Sequence, residues 1–461
     1  MRSLFSSGFG PFLSQALTLA LVPILFRLYT PQDFGAWAMI QAIAIAAGSL
    51  ASLRYDLALV VERDFEAAEQ LLFAVVAVVI SCSVFAGVTI IVSVEFGLLE
   101  IDGVSATLGW GWLLLVGLGV TFQSWLIREG AYAKISISVV LNGILTGIVQ
   151  LVGGLSGNGI WLIIGSIAGQ ATALTFIVWI VMRSAHSPDL KLLKAKKMVS
   201  ILRKHKRFPK ISFPFTILSL LRERAPIFIV GLLGSSIAVG LYSQAWRLTH
   251  FPAGLTSAAL RPVFFHRAVS EGLAAQGVAI DRLVRSLLLA SSPAIGFVVF
   301  ENDALAEALL GPQWRGAGQL AASLIFPAAL FTVTNWMDRL LDAVGRQDIN
   351  LKLELIAGLS SIGALWGAIG AGTTLVTAVL LQCLALSGSY LWFLWMCYRI
   401  AGWPLAHLLF SLLVAIAIIM STYLFLIVLS LMFTPLLVLL MGTTLVTLAP
   451  IAVFVVIGRG A

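Results

Sequence analysis

The hydrophobic positions of this chain fall in long stretches that are separated by short polar segments. Most stretches are close to the roughly 20 residues that an α-helix needs to cross a bilayer. They predict an all-α, polytopic membrane protein with 12–14 transmembrane helices, because the breaks between the last stretches are the least marked. The fourteen stretches cover residues 8–26, 34–58, 70–94, 106–127, 135–153, 159–182, 211–234, 238–260, 284–300, 317–338, 350–370, 373–397, 404–428 and 433–457.

The composition agrees with this pattern: 60% of the 461 residues are hydrophobic, 11% are charged, and the mean hydropathy is +1.02. A soluble domain could not bury that much apolar surface. The net charge of +8 does not indicate a nucleic-acid partner, because the basic residues lie in short connections between apolar stretches. Residues 1–10 lead directly into the first stretch without a small-residue cleavage site, so we expect no cleavable signal peptide.

The connections differ in charge, and this difference predicts the orientation. If Met1 is cytoplasmic, the outer connections contain only Arg27 and Arg315 among basic residues. The longest inner connection, residues 183–210, contains ten Lys and Arg residues against the single acid Asp189. Its interspersed apolar residues predict an amphipathic helix on the anionic inner leaflet, with a specific protein or nucleic-acid contact as the alternative. Both termini and this linker are predicted to be cytoplasmic.

An internal repeat divides the chain at the basic linker. Residues 24–37 align with residues 229–242 at a constant offset of 205. In each copy an apolar helix end is followed by a short turn, an apolar residue, a glycine and an aromatic residue. Both copies start on the same side, which predicts parallel repeats around a central cavity. The predicted domains are an N-terminal six-helix lobe (1–182), the linker (183–210), a C-terminal six-helix lobe (211–398) and two additional helices (399–461).

The stretch at residues 211–234 carries Arg222, Glu223 and Arg224 near its centre. An arginine at the middle of a membrane helix costs about 2.5–3.5 kcal/mol on insertion scales, so each must face protein or a wet cavity. A self-paired cluster that only fixes helix packing is one interpretation. We favour the other, in which two cations against one anion make a net-positive cavity that attracts an anionic substrate.

Further charged residues lie within or at the ends of predicted helices. Arg247 is about ten residues into the eighth stretch, too deep for its side chain to reach the interface easily. Arg54 ends the second stretch together with Asp56. Arg27 ends the first stretch, and Asp33 follows in the turn, as a gate or as an ordinary ion pair.

Uncharged polar side chains within the stretches suit a hydrated lumen, although each could instead hydrogen-bond a neighbouring helix. Gln41 and Gln244 are candidates for supporting the arginines. The full set is Gln15, Gln41, Gln123, Asn142, Gln150, Gln170 and Gln244.

No enzyme signature is found in the sequence: it lacks a Gly-rich phosphate loop, a G-x-S-x-G motif and an H-E-x-x-H motif. The longest predicted outer connection, residues 301–316, is too short for a catalytic domain. Cys82, Cys383 and Cys397 lie in apolar stretches without metal-ligand spacing. We therefore predict no catalytic residue, metal or cofactor.

Six segments resemble the polysaccharide-biosynthesis flippases of the multidrug/oligosaccharidyl-lipid/polysaccharide exporter superfamily. They recur in the order and spacing of that family, and the match extends to about residue 350. The segments are FRLYTPQDFGAWA (26–38), SLRYDLALV (52–60), FPKISFPFTILSLLRERAP (208–226), VGLYSQAWRLTHFP (239–252), RPVFFHRA (261–268) and LLGPQWRGAG (309–318).

The resemblance implies a flippase that moves an undecaprenyl-pyrophosphate-linked oligosaccharide across the bacterial inner membrane by alternating access. Arg27, Arg54 and Arg247 stand on the helices where related lipid II flippases carry functional arginines, and Asp33 stands where those relatives have an acid. The Arg222–Arg224 trio is a departure, because similar sequences often have uncharged polar residues there. Besides membrane lipid, polymerase and chain-length proteins of the same pathway are the candidate partners.

Two other functions remain open at this stage. A cation-coupled multidrug exporter of the same fold would need buried acids for a cationic substrate, whereas the buried excess in this chain is basic. A membrane glycosyltransferase or O-antigen polymerase would need sizeable outer loops.

Overall fold

A computed structural model describes residues 21–96, 102–184, 195–233, 235–271, 276–343 and 346–459. Throughout this part the regular elements are helical, joined by short turns. They are α1 (residues 21–28), α2 (Pro31–Leu50), α3 (Tyr55–Val61), α4 (Phe65–Glu95), α5 (Gly103–Arg128), α6 (Tyr132–Gly154), α7 (Ile160–Arg183), α8 (Ala195–Lys204), α9 (Phe213–Leu233), α10 (Ser236–Glu271), α11 (Gly277–Leu310), α12 (Ala317–Thr334), α13 (Asp338–Ala343), α14 (Gln347–Gly370), α15 (Leu375–Ala401), α16 (Leu405–Met432) and α17 (Pro435–Arg459).

The chain forms two compact units, Met1–Gly240 and Leu241–Ala461, and the division falls inside α10. In the first unit α5 packs against α2, α4 and α7, α6 packs against α7, and α2 also packs against α9. In the second unit α11 packs against α12, α16 and α17, while α15 packs against α12 and α14. The six-helix lobes of the sequence repeat stay a prediction.

Ten of the described helices are long and apolar enough to cross a membrane. They are α2, α4–α7, α11, α12 and α14–α16; α17 holds a shorter apolar segment, Pro435–Ala449. The ten do not include α9 and α10, which carry Arg222, Arg224 and Arg247. The prediction of an all-α, multi-pass membrane protein is confirmed. The predicted first stretch, 8–26, lies outside the described residues except for its last six positions.

The prediction of one continuous helix over residues 34–58 is wrong. The helix ends at Leu50, and a short helix begins again at Tyr55. Between them Leu53 (φ 48°) and Arg54 (φ 64°) adopt the left-handed conformation, which disfavours side chains with a Cβ. The sequence offers no glycine or proline at this break, so local backbone preference could not have predicted it.

The predicted outer connection 301–316 is also shorter than expected, because α11 continues to Leu310. The helix bends at Asn302, whose backbone (φ 21°, ψ −101°) is not helical. A single 3₁₀ turn, Pro312–Trp314, then leads to α12.

The basic linker contains the predicted amphipathic helix, but its apolar residues contact protein. Ile201 on α8 is 8% exposed and belongs to the buried cluster built by α3, α4, α5 and α7. Met198 and Leu202 pack against the same cluster. The expectation that this face lies on lipid is therefore wrong for α8, because a protein surface satisfies the same amphipathic pattern. Residues 185–194 of the linker lie outside the described residues.

Candidate functional site

Arg54 is the sequence-predicted arginine with the most unusual local structure. Its left-handed backbone forms the N-terminal boundary of α3, and its amide donates to Oγ of Ser52 (3.2 Å). Ser52 in turn donates to Asp56 (2.6 Å), whose carboxylate lies 3.6 Å from Nη1 of Arg54. The Arg54 side chain is 23% exposed, yet its Nε is buried and has no hydrogen-bond partner in the described part of the chain. One acid therefore leaves this guanidinium incompletely satisfied.

The Arg222–Arg224 trio lies at the middle of α9, as predicted from the sequence. Nη2 of Arg222 is 3.8 Å from Oε1 of Glu223, and Glu223 is itself half exposed. This ion pair corresponds to the self-paired interpretation. Nε of Arg224 is buried without a hydrogen-bond partner among the described residues. The trio thus holds one loose ion pair and one further arginine with an unused donor.

Asp33 has a structural role at the start of α2. Its carboxylate accepts hydrogen bonds from the amide (2.8 Å) and hydroxyl (2.7 Å) of Thr30, and the Thr30 hydroxyl accepts from the Asp33 amide (3.2 Å). This reciprocal capping box, with Pro31 at the first helical position, fixes the turn. Arg27 is exposed, and within the described residues Asp33 is paired with Thr30 and not with Arg27. Gln41, two turns further along α2, is half-buried.

Gln244 and Arg247 belong to the second unit and are three residues apart, so they share one face of α10. Gln244 is 1% exposed; its amide donates to Ser243 (3.3 Å), and its Oε1 has no partner in the described chain. Arg247 is half-buried, about 16 Å along the helix from Ser236 at 1.5 Å per residue. Next to them, His250 stacks on Trp246 with ring centroids 3.8 Å apart.

A cavity of about 250 Å³ lies within the first unit, between α5, α6 and α7. Its polar lining consists of three amides and one hydroxyl, and it has no charged residue. The Asn142 amide donates to Oε1 of Gln170 (2.9 Å), which joins α6 to α7 across the cavity. The lining residues are Gly119, Gln123, Ser138, Val139, Asn142, Gln170, Ala173, Leu174 and Ile177. Three of the amides predicted for a hydrated lumen therefore lie together, whereas Gln150 bonds elsewhere, to the carbonyl of Leu162 (2.9 Å).

Sequence reasoning missed two polar clusters at helix ends. In the first unit Glu62 accepts hydrogen bonds from Lys204 (2.5 Å) and from His205 (2.8 Å) next to α8. In the second unit Asp281 accepts from the Tyr398 hydroxyl (2.7 Å) and lies 3.3 Å from Nδ1 of His407. In each cluster the acid lies more than 100 positions from its partners in sequence, so no local motif connects them.

The comparisons with known proteins agree with this fold. By structure the chain is similar to the lipid II flippase MurJ in an inward closed conformation, with TM-score 0.75 and 13% identity over 98% of this chain and 99% of that one. It is also similar to an inward-facing multidrug resistance MATE family transporter of the MOP superfamily (TM-score 0.53, 17% identity, 87% and 96% covered). A third match is a MOP superfamily transporter from Pyrococcus furiosus (TM-score 0.55, 14% identity, 87% and 96% covered).

At these identities the structures establish a shared fold, and no protein of curated function matches the sequence significantly. The family comparison is more specific, because residues 24–319 match the model of the family described as polysaccharide biosynthesis protein. That range holds α2 through α11 together with all five candidate arginines. The chain is therefore a multi-pass membrane protein that belongs to the polysaccharide biosynthesis protein family and has the fold of MOP superfamily transporters.

Proposed function

We propose that this protein is a flippase for undecaprenyl-pyrophosphate-linked oligosaccharide repeat units, and not an enzyme. It would carry them across the bacterial inner membrane by alternating access for O-antigen, capsule or exopolysaccharide synthesis. Family membership supports the pathway, and the MurJ-like fold supports transport of a lipid-linked substrate.

The observation that carries the proposal is an excess of guanidinium donors in helices of a membrane protein. Arg54 shares a single acid, Asp56, and retains a buried Nε without a partner in the described chain. Nε of Arg224 is likewise buried and has no hydrogen-bond partner in the described chain. A buried donor without an acceptor costs about 1–3 kcal/mol, so it is favourable to bring an acceptor to it. A pyrophosphate supplies several charged acceptor oxygens, which guanidinium groups bind in a bidentate geometry.

In this mechanism Arg27, Arg54, Arg222, Arg224 and Arg247 bind the pyrophosphate, and Asp33 has a gating role. Glu223, Gln41 and Gln244 support the arginines. The sugar occupies polar space inside the protein, while the prenyl chain stays in lipid. The arginine residues release the anion when the protein opens to the other leaflet.

The test is a flipping assay in proteoliposomes with a fluorescent undecaprenyl-pyrophosphate disaccharide. Arg54→Gln and Arg247→Gln should each abolish flipping of the fluorescent lipid in this assay. The melting temperature of each variant in detergent should stay the same as that of the wild type. Arg54→Lys and Arg247→Lys should restore only part of the rate, because a point charge replaces a fork of donors. Export of a cationic dye without flipping of the lipid would instead identify a multidrug exporter.

A further inference from the structure

The amide-lined cavity between α5, α6 and α7 does not have the chemistry of a phosphate-binding site. None of its nine lining residues is charged. A charged ligand there would lose hydration without gaining a counter-charge, which costs several kcal/mol. The cavity therefore selects a neutral, hydrogen-bonding occupant.

Hydrogen-bond capacity is left over in this cavity after the protein's own contacts are made. The Gln123 amide makes no hydrogen bond within the described chain, so its carbonyl and both N–H groups are available. The Asn142–Gln170 bond (2.9 Å) uses one N–H of Asn142 and leaves the Gln170 NH₂ group as a donor. Ser138 already donates to the carbonyl of Ile135 (2.7 Å), but its oxygen can still accept.

The rest of the lining includes the apolar side chains of Val139, Leu174 and Ile177. A lining of amides together with aliphatic groups matches a pyranose ring, which has equatorial hydroxyls at its edge and C–H groups on its faces. The volume of about 250 Å³ is just below the roughly 300–1,000 Å³ of drug-sized ligand sites. It therefore has room for one sugar ring and not for a whole oligosaccharide.

Two features keep this space open and separate from lipid. A Cβ on Gly119 would lie 2.7 Å from Nε2 of Gln170, so the glycine leaves room for that amide. On α6 the exposed apolar side chains Ile137, Ile144 and Ile148 lie on a different face from Asn142, because the helix turns 100° per residue. The Asn142 amide thus points away from the surface of α6 that suits lipid.

We propose that this cavity is a binding site for one neutral sugar ring of the lipid-linked substrate, with Gln123 and Gln170 as its hydrogen-bonding residues. This inference rests on the proposed flippase function and adds a recognition element for the glycan to the arginines that hold the pyrophosphate. It predicts that the glycan and the pyrophosphate contribute separately to affinity.

The experiment measures the dissociation constants of two probes for the protein in lipid nanodiscs. One probe is undecaprenyl pyrophosphate, and the other is undecaprenyl pyrophosphate carrying an N-acetylglucosamine-containing disaccharide. The wild type should bind the glycosylated probe more tightly. Gln123→Leu should reduce that preference about 5- to 10-fold, as expected for one or two lost hydrogen bonds, without changing affinity for the sugar-free probe.

Gln123→Leu is the cleanest variant because its amide has no partner to lose in the described structure. Gly119→Ala, which displaces the Gln170 amide, should have the same effect. Thr175→Val is the matched control on α7, since its exposed hydroxyl only bonds the carbonyl of Ala171.

A preference for the glycosylated probe that survives in both cavity variants, or no preference in the wild type, would show that the cavity holds water only. Failure of the wild type to bind either probe would overturn the flippase proposal itself.

Discussion

Gly35 and Gly240 lie directly against each other where α2 and α10 begin. A Cβ on Gly35 would lie 3.1 Å from the amide nitrogen of Gly240, and one on Gly240 would lie 3.1 Å from that of Gly35. Each position also faces a backbone carbonyl of the other helix: Gly35 faces Ser236, and Gly240 faces Pro31. These pairs are related by the same 205-residue offset as the sequence repeat, so the contact is reciprocal. The repeat glycine is therefore a site of backbone-to-backbone packing.

Alanine at either glycine should destabilise the protein by about 3 kcal/mol or more, because the new methyl group would overlap a carbonyl oxygen that only a shift of a whole helix could move. Differential scanning fluorimetry of the purified Gly35→Ala and Gly240→Ala variants measures this. Gly111→Ala on α5 is the control, since its Cβ would meet nothing within 4 Å. It should be neutral or slightly stabilising. Equal melting temperatures for all three variants would contradict the packing.

The left-handed backbone at Arg54 allows the side chain and the fold to be tested separately. Arg54→Gly should abolish flipping but change stability by less than about 1 kcal/mol. Relief of the positive φ, worth about 1 kcal/mol, offsets the loss of the partly exposed pair with Asp56. Arg54→Val should lose stability as well, because a β-branched residue fits this backbone poorly. If Arg54→Gly retains transport, Arg54 has a structural role only.

Glu62 connects the basic linker helix to the α3–α4 turn, and its pKa reports on that contact. Burial alone would raise the pKa of Glu62, but hydrogen bonds from Lys204, His205 and the Asp64 amide lower it from 4.5 to about 2. A lowered pKa means that the contact stabilises the folded protein above about pH 4.5. This stabilisation should be lost as the pH falls from about 4.5 towards 2.

Glu62→Gln should therefore release α8 at neutral pH, at a cost of about 1–2 kcal/mol for a hydrogen bond to a charged group. Hydrogen exchange of residues 195–204 and proteolysis within the linker should both become faster. Glu66→Gln is the matched control, because its ion pair with Lys197 is half exposed on both sides and is worth little. Unchanged exchange in Glu62→Gln would mean that the apolar contacts of Met198, Ile201 and Leu202 are enough to keep α8 in place.

The ion pair between Arg222 and Glu223 in the Arg222–Arg224 trio can be tested by substitution. Because Glu223 is half exposed, Glu223→Gln should cost less than about 1 kcal/mol of stability. Replacing Arg222, Glu223 and Arg224 together by glutamine should leave a stable protein that no longer flips the lipid. The assays are thermal unfolding and flipping in the same detergent and lipid. A fully active triple variant would restrict the substrate-binding arginines to Arg27, Arg54 and Arg247.

The orientation also gives a direct prediction. A reporter that is active only in the periplasm, fused after Ser200 in α8, should be silent because the linker is expected on the cytoplasmic side. The same reporter fused after Gly372, in the predicted outer connection between α14 and α15, should be active. The reverse result would invert the topology.

The sequence predicted the helical class, most helix positions and the central place of Arg222 on α9, because long apolar stretches and isolated charges are local properties. It did not predict the break at Leu53 and Arg54. That conformation is stabilised by the Ser52–Asp56 hydrogen bond and by packing of Leu53 on a buried cluster, and both depend on tertiary structure. It also predicted lipid contact for α8, because an amphipathic pattern does not distinguish lipid from a protein partner.

The candidate site was predicted in part. The arginines were identified because a charge within an apolar stretch is conspicuous, but which of them share a partner depends on side-chain geometry. Gln123, Asn142 and Gln170 were recognised as polar, yet their convergence on one cavity requires the packing of α5, α6 and α7. Asp281 and His407 lie near the ends of their helices, where charged residues are common, so the sequence alone gave no reason to connect them.

The position of the unit boundary within α10 has a consequence for how the chain can be divided. The basic linker is the natural place to cut by composition, but α8 within it and α9 after it still pack within the first unit. Two polypeptides separated at residue 190 would therefore divide one compact body, and each would expose surface that the other normally covers. During synthesis the first unit becomes complete only when Gly240 has left the ribosome, 57 residues after Arg183, where the linker begins. A half-protein ending at α7 would therefore lack α8 and α9, which pack against α4 and α2 in the first unit.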